Sequence, residues 1–118
     1  MFYIFNRNNR NYNEQIGLAS IQNLNEPSKF IVTFQLGISK LTSEYLVLDT
    51  DYINYSLVYS CTVAKGVKYD FAWILGRQRS LNVETITYLA NKLTSYGIDK
   101  NNFIKSDQTD CENFYLFY

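Results

Sequence analysis

The chain has 118 residues, 47% apolar and 17% aromatic, with eleven basic and eleven acidic side chains. That length holds one domain with a real core and excludes a two-domain enzyme. Zero net charge argues against a protein that wraps nucleic acid or lies on an anionic membrane, and the absence of histidine removes the commonest metal ligand, the commonest general base and every histidine-dependent triad.

The opening run Met1-Phe2-Tyr3-Ile4-Phe5 is followed, not preceded, by basic Arg7. It is too short for a leader's apolar stretch, so the chain as written carries no recognisable signal peptide. No segment reaches the roughly 18 to 20 apolar residues that span a bilayer. Residues 6–14 are rich in Asn and charge and predict a turn or frayed region. Residues 15–22 bring Ile16, Leu18 and Ile21 near one face, a weak strand, and the segment 23–28 around Pro27 is a loop. Over 29–36 the alternation is regular: Phe30, Val32, Phe34 and Leu36 share one face, which predicts a strand. Residues 37–43 read as a loop and 44–50 as the next strand. Asp51 to Asn54 carries turn chemistry, since Asp51 and Asn54 can bond nearby backbone amides. Residues 55–63 form a strand with Tyr55, Leu57, Tyr59 and Cys61 on one side. Lys65-Gly66 suits a hairpin turn, and 68–76 follow as a strand with Phe71, Trp73 and Leu75 on one face.

The period then changes from two to 3.6. Val83, Ile86, Leu89, Ala90 and Leu93 predict one amphipathic helix over 83–95, capped by Asn82, with Glu84 in its first turn and stopped at Gly97. A short final strand is expected at Phe103-Ile104-Lys105. Consecutive hairpins followed by one helix make an antiparallel meander, the way up-and-down barrels are built.

Few residues suggest chemistry. Asp49 and Asp51 flank a tight turn, and Asp107 and Asp110 lie in a loop, where carboxylates cap backbone amides far more often than they catalyse. Arg77 and Arg79 read as solvated surface charge. Phosphate-cradling glycine loops and nucleophile–base pairs are absent. Cys61 and Cys111 stand fifty residues apart with no Cys-x-x-Cys pair, which argues against zinc. They read either as two small buried thiols or as parts of a secreted framework bridged elsewhere. Asn54-Tyr55-Ser56 is a glycosylation sequon. What remains is an apolar concavity. Phe30, Val32, Phe34, Tyr45, Val47, Phe71 and Trp73 line it if their strands are neighbours, and a solid aromatic core is the competing reading.

Residues 45–62 (YLVLDTDYINYSLVYSCT) resemble the second signature stretch of the lipocalins, whose hallmark is Thr50-Asp51-Tyr52. Residues 70–81 (DFAWILGRQRSL) look like the third, with its arginine at Arg77, and the likeness extends over about residues 15–111. The resemblance implies an eight-stranded barrel with a C-terminal helix outside it. It implies a secreted, non-catalytic protein that transports or sequesters a small hydrophobic ligand (lipid, sterol, retinoid or bilin) with no cofactor. By position, Phe34, Tyr45 and Trp73 match pocket residues of the family, and Phe71, Val47 and Val32 follow by alternation. Three departures stand out. The family's opening Gly-x-Trp does not occur, so Arg77 lacks the tryptophan it would pack over. Cys61 and Cys111 match cysteines that bridge to an N-terminal third not present here. At most six strands and a short last one are visible, too few to close the barrel. The expectation is therefore an all-β fold with one α-helix. It is a single domain over residues 1–118, an antiparallel meander of an incomplete lipocalin barrel lacking its first strands. The rival expectation is a ligand-free module that homodimerises through exposed strand edges and the apolar tail Phe114 to Tyr118.

Overall fold

Strands occupy most of the chain as far as Gly76, and one helix follows. The computed structural model describes residues 2–6 and 11–109. β1 (Phe2–Asn6) and β2 (Asn11–Gln15) pair antiparallel as a two-stranded ladder. β3 (Gly17–Ile21), β4 (Lys29–Leu36), β5 (Ser39–Thr50), β6 (Tyr55–Ala64) and β7 (Val67–Gly76) form a five-stranded antiparallel sheet in chain order. Among the described residues this sheet is not closed: β3 and β7 each pair with one neighbour. The architecture is the expected incomplete barrel with one helix.

Turn chemistry fixes the hairpins. Lys65 and Gly66 both take left-handed φ, 51° and 75°, as a two-residue hairpin loop demands. β4 and β5 turn on Gly37-Ile38, with Gly37 at φ 63°. The loop expected over 37–43 is thereby corrected. Only its first two residues turn, and 39–43 pair with β4 from Leu36↔Ser39 to Val32↔Ser43. This half of β5 is polar on its outer side, where the Thr42 and Thr33 hydroxyls lie 3.3 Å apart, so its alternation carries little hydropathy signal.

Two further expectations are corrected. Residues 11–15 are strand rather than turn or frayed, because the run 2–6 supplies a ladder partner (Tyr3↔Glu14, Phe5↔Tyr12) that local composition does not reveal. No strand forms at 103–105. A 3-10 turn, Lys100–Asn102, precedes it, and Phe103 packs half-buried against the helix–sheet core without a ladder.

The helix α1 (Val83–Ser95) matches its predicted bounds. Asn82 Oδ1 accepts from Thr85 N at 2.8 Å, satisfying an otherwise orphaned amide. Gly97, at φ 80°, ends it, while Ile98 N donates back to Leu93 O at 3.1 Å. Leu89 and Leu93 are fully buried against Leu57 of β6, with Leu48, Ala72 and Ile74 packed around them. The first turn of the predicted stripe is left uncovered: Val83 is 74% exposed. A bulge between Val47 and Asp49 shifts the β5 register, so Asp49 pairs with Leu57 and turns toward the helix. Its Oδ2 accepts from Lys92 Nζ at 2.7 Å and from Tyr88 OH at 2.8 Å. The Lys92 bond is the main reason the Asp49 carboxyl is held below its ordinary pKa. Among the described residues, helix and sheet are thus joined by an apolar cluster, the Asp49–Lys92 ion pair and the Tyr88–Asp49 hydrogen bond.

Candidate ligand-binding face

Residues directly opposed in an antiparallel ladder share a face. Gly17↔Phe34↔Leu41, Ala19↔Val32↔Ser43 and Ile21↔Phe30↔Tyr45 therefore point one way. So do Val47↔Val58↔Trp73, Ser60↔Phe71 and Thr62↔Tyr69. This is the face turned away from Leu57 and the helix. All six residues proposed for the pocket lie on it: Val32 and Phe34 from β4, Tyr45 and Val47 from β5, Phe71 and Trp73 from β7.

The rings meet across β6. Trp73 stacks on Phe71 with centroids 5.9 Å apart and planes 8° apart, and on Tyr45 at 6.2 Å and 21°, both within the usual aromatic-pair range. The intervening strand permits this because Val58 and Ser60 are small and buried. Burial pushes the Tyr45 phenol above its ordinary pKa. Trp73 is nevertheless 40% exposed and Phe71 49%. The stack is an aromatic shelf open on one side, not the interior of a filled layer. At its far end the Phe34 ring lies across Gly17. A Cβ there would sit 2.5 Å from Phe34 Cε1, so glycine is what lets that ring lie flat.

The signature residues do not enter this face. They build the turn between β5 and β6. Asp51 Oδ1 accepts from the amides of Ile53, Asn54 and Tyr55 at 2.7–3.0 Å, and its Oδ2 accepts from Asn54 Nδ2 at 2.8 Å. The Tyr55 amide leads in driving the Asp51 carboxyl far below the ordinary carboxylate range. Thr50 Oγ1 donates to Tyr55 O and accepts from Tyr52 N. Tyr52 takes φ 64°, a costly conformation for an aromatic residue. It is held from the other side by Arg77, whose Nη2 donates to Tyr52 O at 3.3 Å and whose amide donates to Asn54 O at 2.9 Å. Arg77 thereby fastens the turn.

A carboxylate with a depressed folded-state pKa stabilises above its unfolded value, near 3.9, and loses that contribution as pH falls through the folded value. Asp51 and Asp49 both have this sign. We therefore expect stability to fall progressively below about pH 4, and Asp51→Asn to flatten that acid slope while lowering stability at neutral pH. Urea melts at a series of pH values check this. An unchanged slope in Asp51→Asn contradicts the assignment.

Cys61 is a half-buried free thiol on the helix side of β6, opposite Asp70. Asp70 Oδ1 accepts from Tyr59 OH at 2.7 Å. Cys111, Asp110 and the tail Phe114 to Tyr118 lie outside the described residues. A separate cleft of about 210 Å³ lies between Gln22, Asn23, Glu26, Lys29, Ile31 and Glu44. Its β4 and β5 residues point away from the aromatic rings. Among the described residues no group of His, Cys, Asp or Glu converges as a metal site, and no helix is long and apolar enough to cross a membrane.

Sequence reasoning missed one feature of the face. Ser43 Oγ lies 2.7 Å from Ser60 Oγ and 2.9 Å from Thr62 Oγ1, and Ser60 Oγ donates to Glu44 O at 2.5 Å. The available signal was the run of small side chains at 58, 60 and 62, opposite in parity to the aromatic positions of β6.

Residues 4–110 match the model of the lipocalin / cytosolic fatty-acid binding protein family. The chain belongs to that family. It is similar to apolipoprotein D of Oryctolagus cuniculus, 46% identical over 104 residues that cover 86% of this chain and 53% of that protein. The Lazarillo protein of Schistocerca americana is 32% identical over 73 residues, 60% of this chain and 34% of its own length. Insecticyanin-B of Manduca sexta is 31% identical over 87 residues, 70% and 42%. This lipocalin chain spans about half the length of the curated apolipoprotein D relatives it matches.

Proposed function

We propose that this lipocalin chain binds a small hydrophobic ligand (a lipid, sterol, retinoid or bilin) on the face formed by Phe34, Tyr45, Phe71 and Trp73, without catalysis. The carrying observation is that Trp73 stacks on two rings yet stays 40% exposed, on the face opposite the packed helix. A large aromatic surface left open on a small domain marks an interaction site. Covering roughly 200 Å² of it would contribute about 5 kcal/mol before the costs of association. The polar groups clustered on the face are hydroxyls of Ser43, Ser60 and Thr62, with no base beside them among the described residues, which favours binding over chemistry. Family membership favours the same reading. By the family resemblance the protein acts outside the cell, which its recovery from culture medium rather than cell lysate would check.

Trp73 is the chain's single tryptophan, so its fluorescence reports this face alone. Titration with retinol, cholesterol, oleate and biliverdin is expected to give saturable quenching with at least one of them. Silence with all four from a folded sample removes the proposal. Silence together with a stable dimer in sedimentation would favour edge pairing through β7, whose outer side has no ladder partner among the described residues.

A further inference from the structure

The hydroxyl cluster on the aromatic face has a fixed proton order. Ser60 has one hydroxyl hydrogen, and Glu44 O takes it at 2.5 Å. Ser60 Oγ is then an acceptor toward Ser43 at 2.7 Å, so the Ser43 hydrogen points to Ser60. Ser43 Oγ is in turn an acceptor toward Thr62 at 2.9 Å, so the Thr62 hydrogen points to Ser43. A longer contact from Ser43 to Glu44 O, 3.3 Å, competes weakly for the same hydrogen. Three hydroxyls thus commit three hydrogens in one direction, toward a backbone carbonyl. Lone pairs are all that is left to offer. Ser60 is buried, so the accessible end of the relay is Thr62 Oγ1.

Thr62 is half-buried and pairs with Tyr69, one step along the face from the Ser60↔Phe71 pair. It lies four residues along β6 from Val58, the partner of Trp73, or roughly 13 Å at about 3.3 Å per residue. An acceptor-only polar point therefore sits about one alkyl-chain length from Trp73, beyond Phe71 and toward the Lys65-Gly66 hairpin.

We infer that this face selects amphiphiles whose polar end is a neutral hydrogen-bond donor, an alcohol or an N–H, placed on Thr62 Oγ1 while the apolar body lies along Phe71 and Trp73. This rests on the proposed ligand-binding role of the same face and names the chemistry of its ligand. A carboxylate or an ether brings lone pairs against lone pairs. It can be satisfied only by turning the Thr62 hydrogen away from Ser43, which breaks the relay.

The test compares dodecan-1-ol, its methyl ether and dodecanoate by Trp73 quenching, in the parent chain, Thr62→Val and Thr62→Ser. The parent is expected to bind the alcohol about tenfold more tightly than the ether, the value of one well-made hydrogen bond, and more tightly than dodecanoate. Thr62→Val should bring alcohol and ether within about twofold of each other, by weakening the alcohol and relieving the ether, and ether binding no weaker than in the parent shows the face still folded. Thr62→Ser should restore the preference. Equal binding of alcohol and ether by the parent, or a preference that survives Thr62→Val, overturns the inference while leaving a ligand-binding face in place. Absence of quenching by all three overturns the inference, and silence with retinol, cholesterol, oleate and biliverdin as well overturns the ligand-binding reading.

Discussion

Leu89→Ala is expected to lower the unfolding free energy by about 2–5 kcal/mol, one of the two largest effects foreseen for this chain. Leu89 is fully buried in a cluster with Leu57 and Leu93, and these three make up most of the fully buried apolar side chains among the described residues. A domain's whole stability is about 5–15 kcal/mol, so truncating one member of so small a cluster removes a large share of it. The Asp49–Lys92 pair remains in the variant, yet a partly exposed ion pair is screened by solvent and cannot hold the helix alone. Urea denaturation followed by far-UV circular dichroism measures the loss. Val83→Ala, at a position 74% exposed, is the matched control and should stay within about 0.5 kcal/mol. Equal effects at the two positions would mean that the helix is not docked through this stripe.

Trp73→Ala should act in the opposite sense, with a large effect on ligand affinity and a smaller one on stability. Trp73 touches both Phe71 and Tyr45, so its removal dismantles the shelf at its centre. Central, well-packed aromatic anchors commonly contribute about 2 kcal/mol or more, which corresponds to an affinity loss of about thirtyfold or more. Calorimetry against the tightest of the four probe ligands reads this without the lost fluorophore. Phe71→Ala, which keeps the tryptophan, should lose affinity to a lesser degree at the edge of the same stack. A Trp73→Ala variant that binds as well as the parent would place the ligand elsewhere.

The residues that made the fold legible are those where hydropathy and backbone geometry agree. In β4 the alternation of Phe30, Val32 and Phe34 is unbroken, and in α1 the cap at Asn82, the spacing of Leu89 and Leu93, and Gly97 all mark one element. Lys65-Gly66 could be read as a turn because few residue pairs adopt left-handed φ together. Residues 39–43 escaped because Leu41 is their one apolar residue and a single apolar position sets no period: a strand can form on backbone pairing alone when its neighbour, β4, is strong. The ladder at 11–15 escaped for the related reason that its partner lies outside any local window. Phe103 misled in the other direction, since burial against a helix needs an aromatic side chain but no strand.

The candidate face was legible from residue parity once the strand neighbours were fixed, and all six proposed residues share it. The signature residues were readable only in part. Asp51 as a turn cap follows from its position, whereas the support that Arg77 gives to the left-handed Tyr52 needs the two ends of β6 and β7 in space. The parity of Ser60 and Thr62 could have placed them on this face, but the relay through Ser43 and its direction depend on distances between side chains of different strands.

The most direct test of the account is an isotope-filtered NOE experiment on the chain bound to its tightest probe ligand. The account predicts contacts from ligand protons to the rings of Trp73, Phe71 and Tyr45, all on the face away from α1. Contacts instead to Ile86, Tyr88 or other side chains of the helix, with none to those three rings, would contradict it.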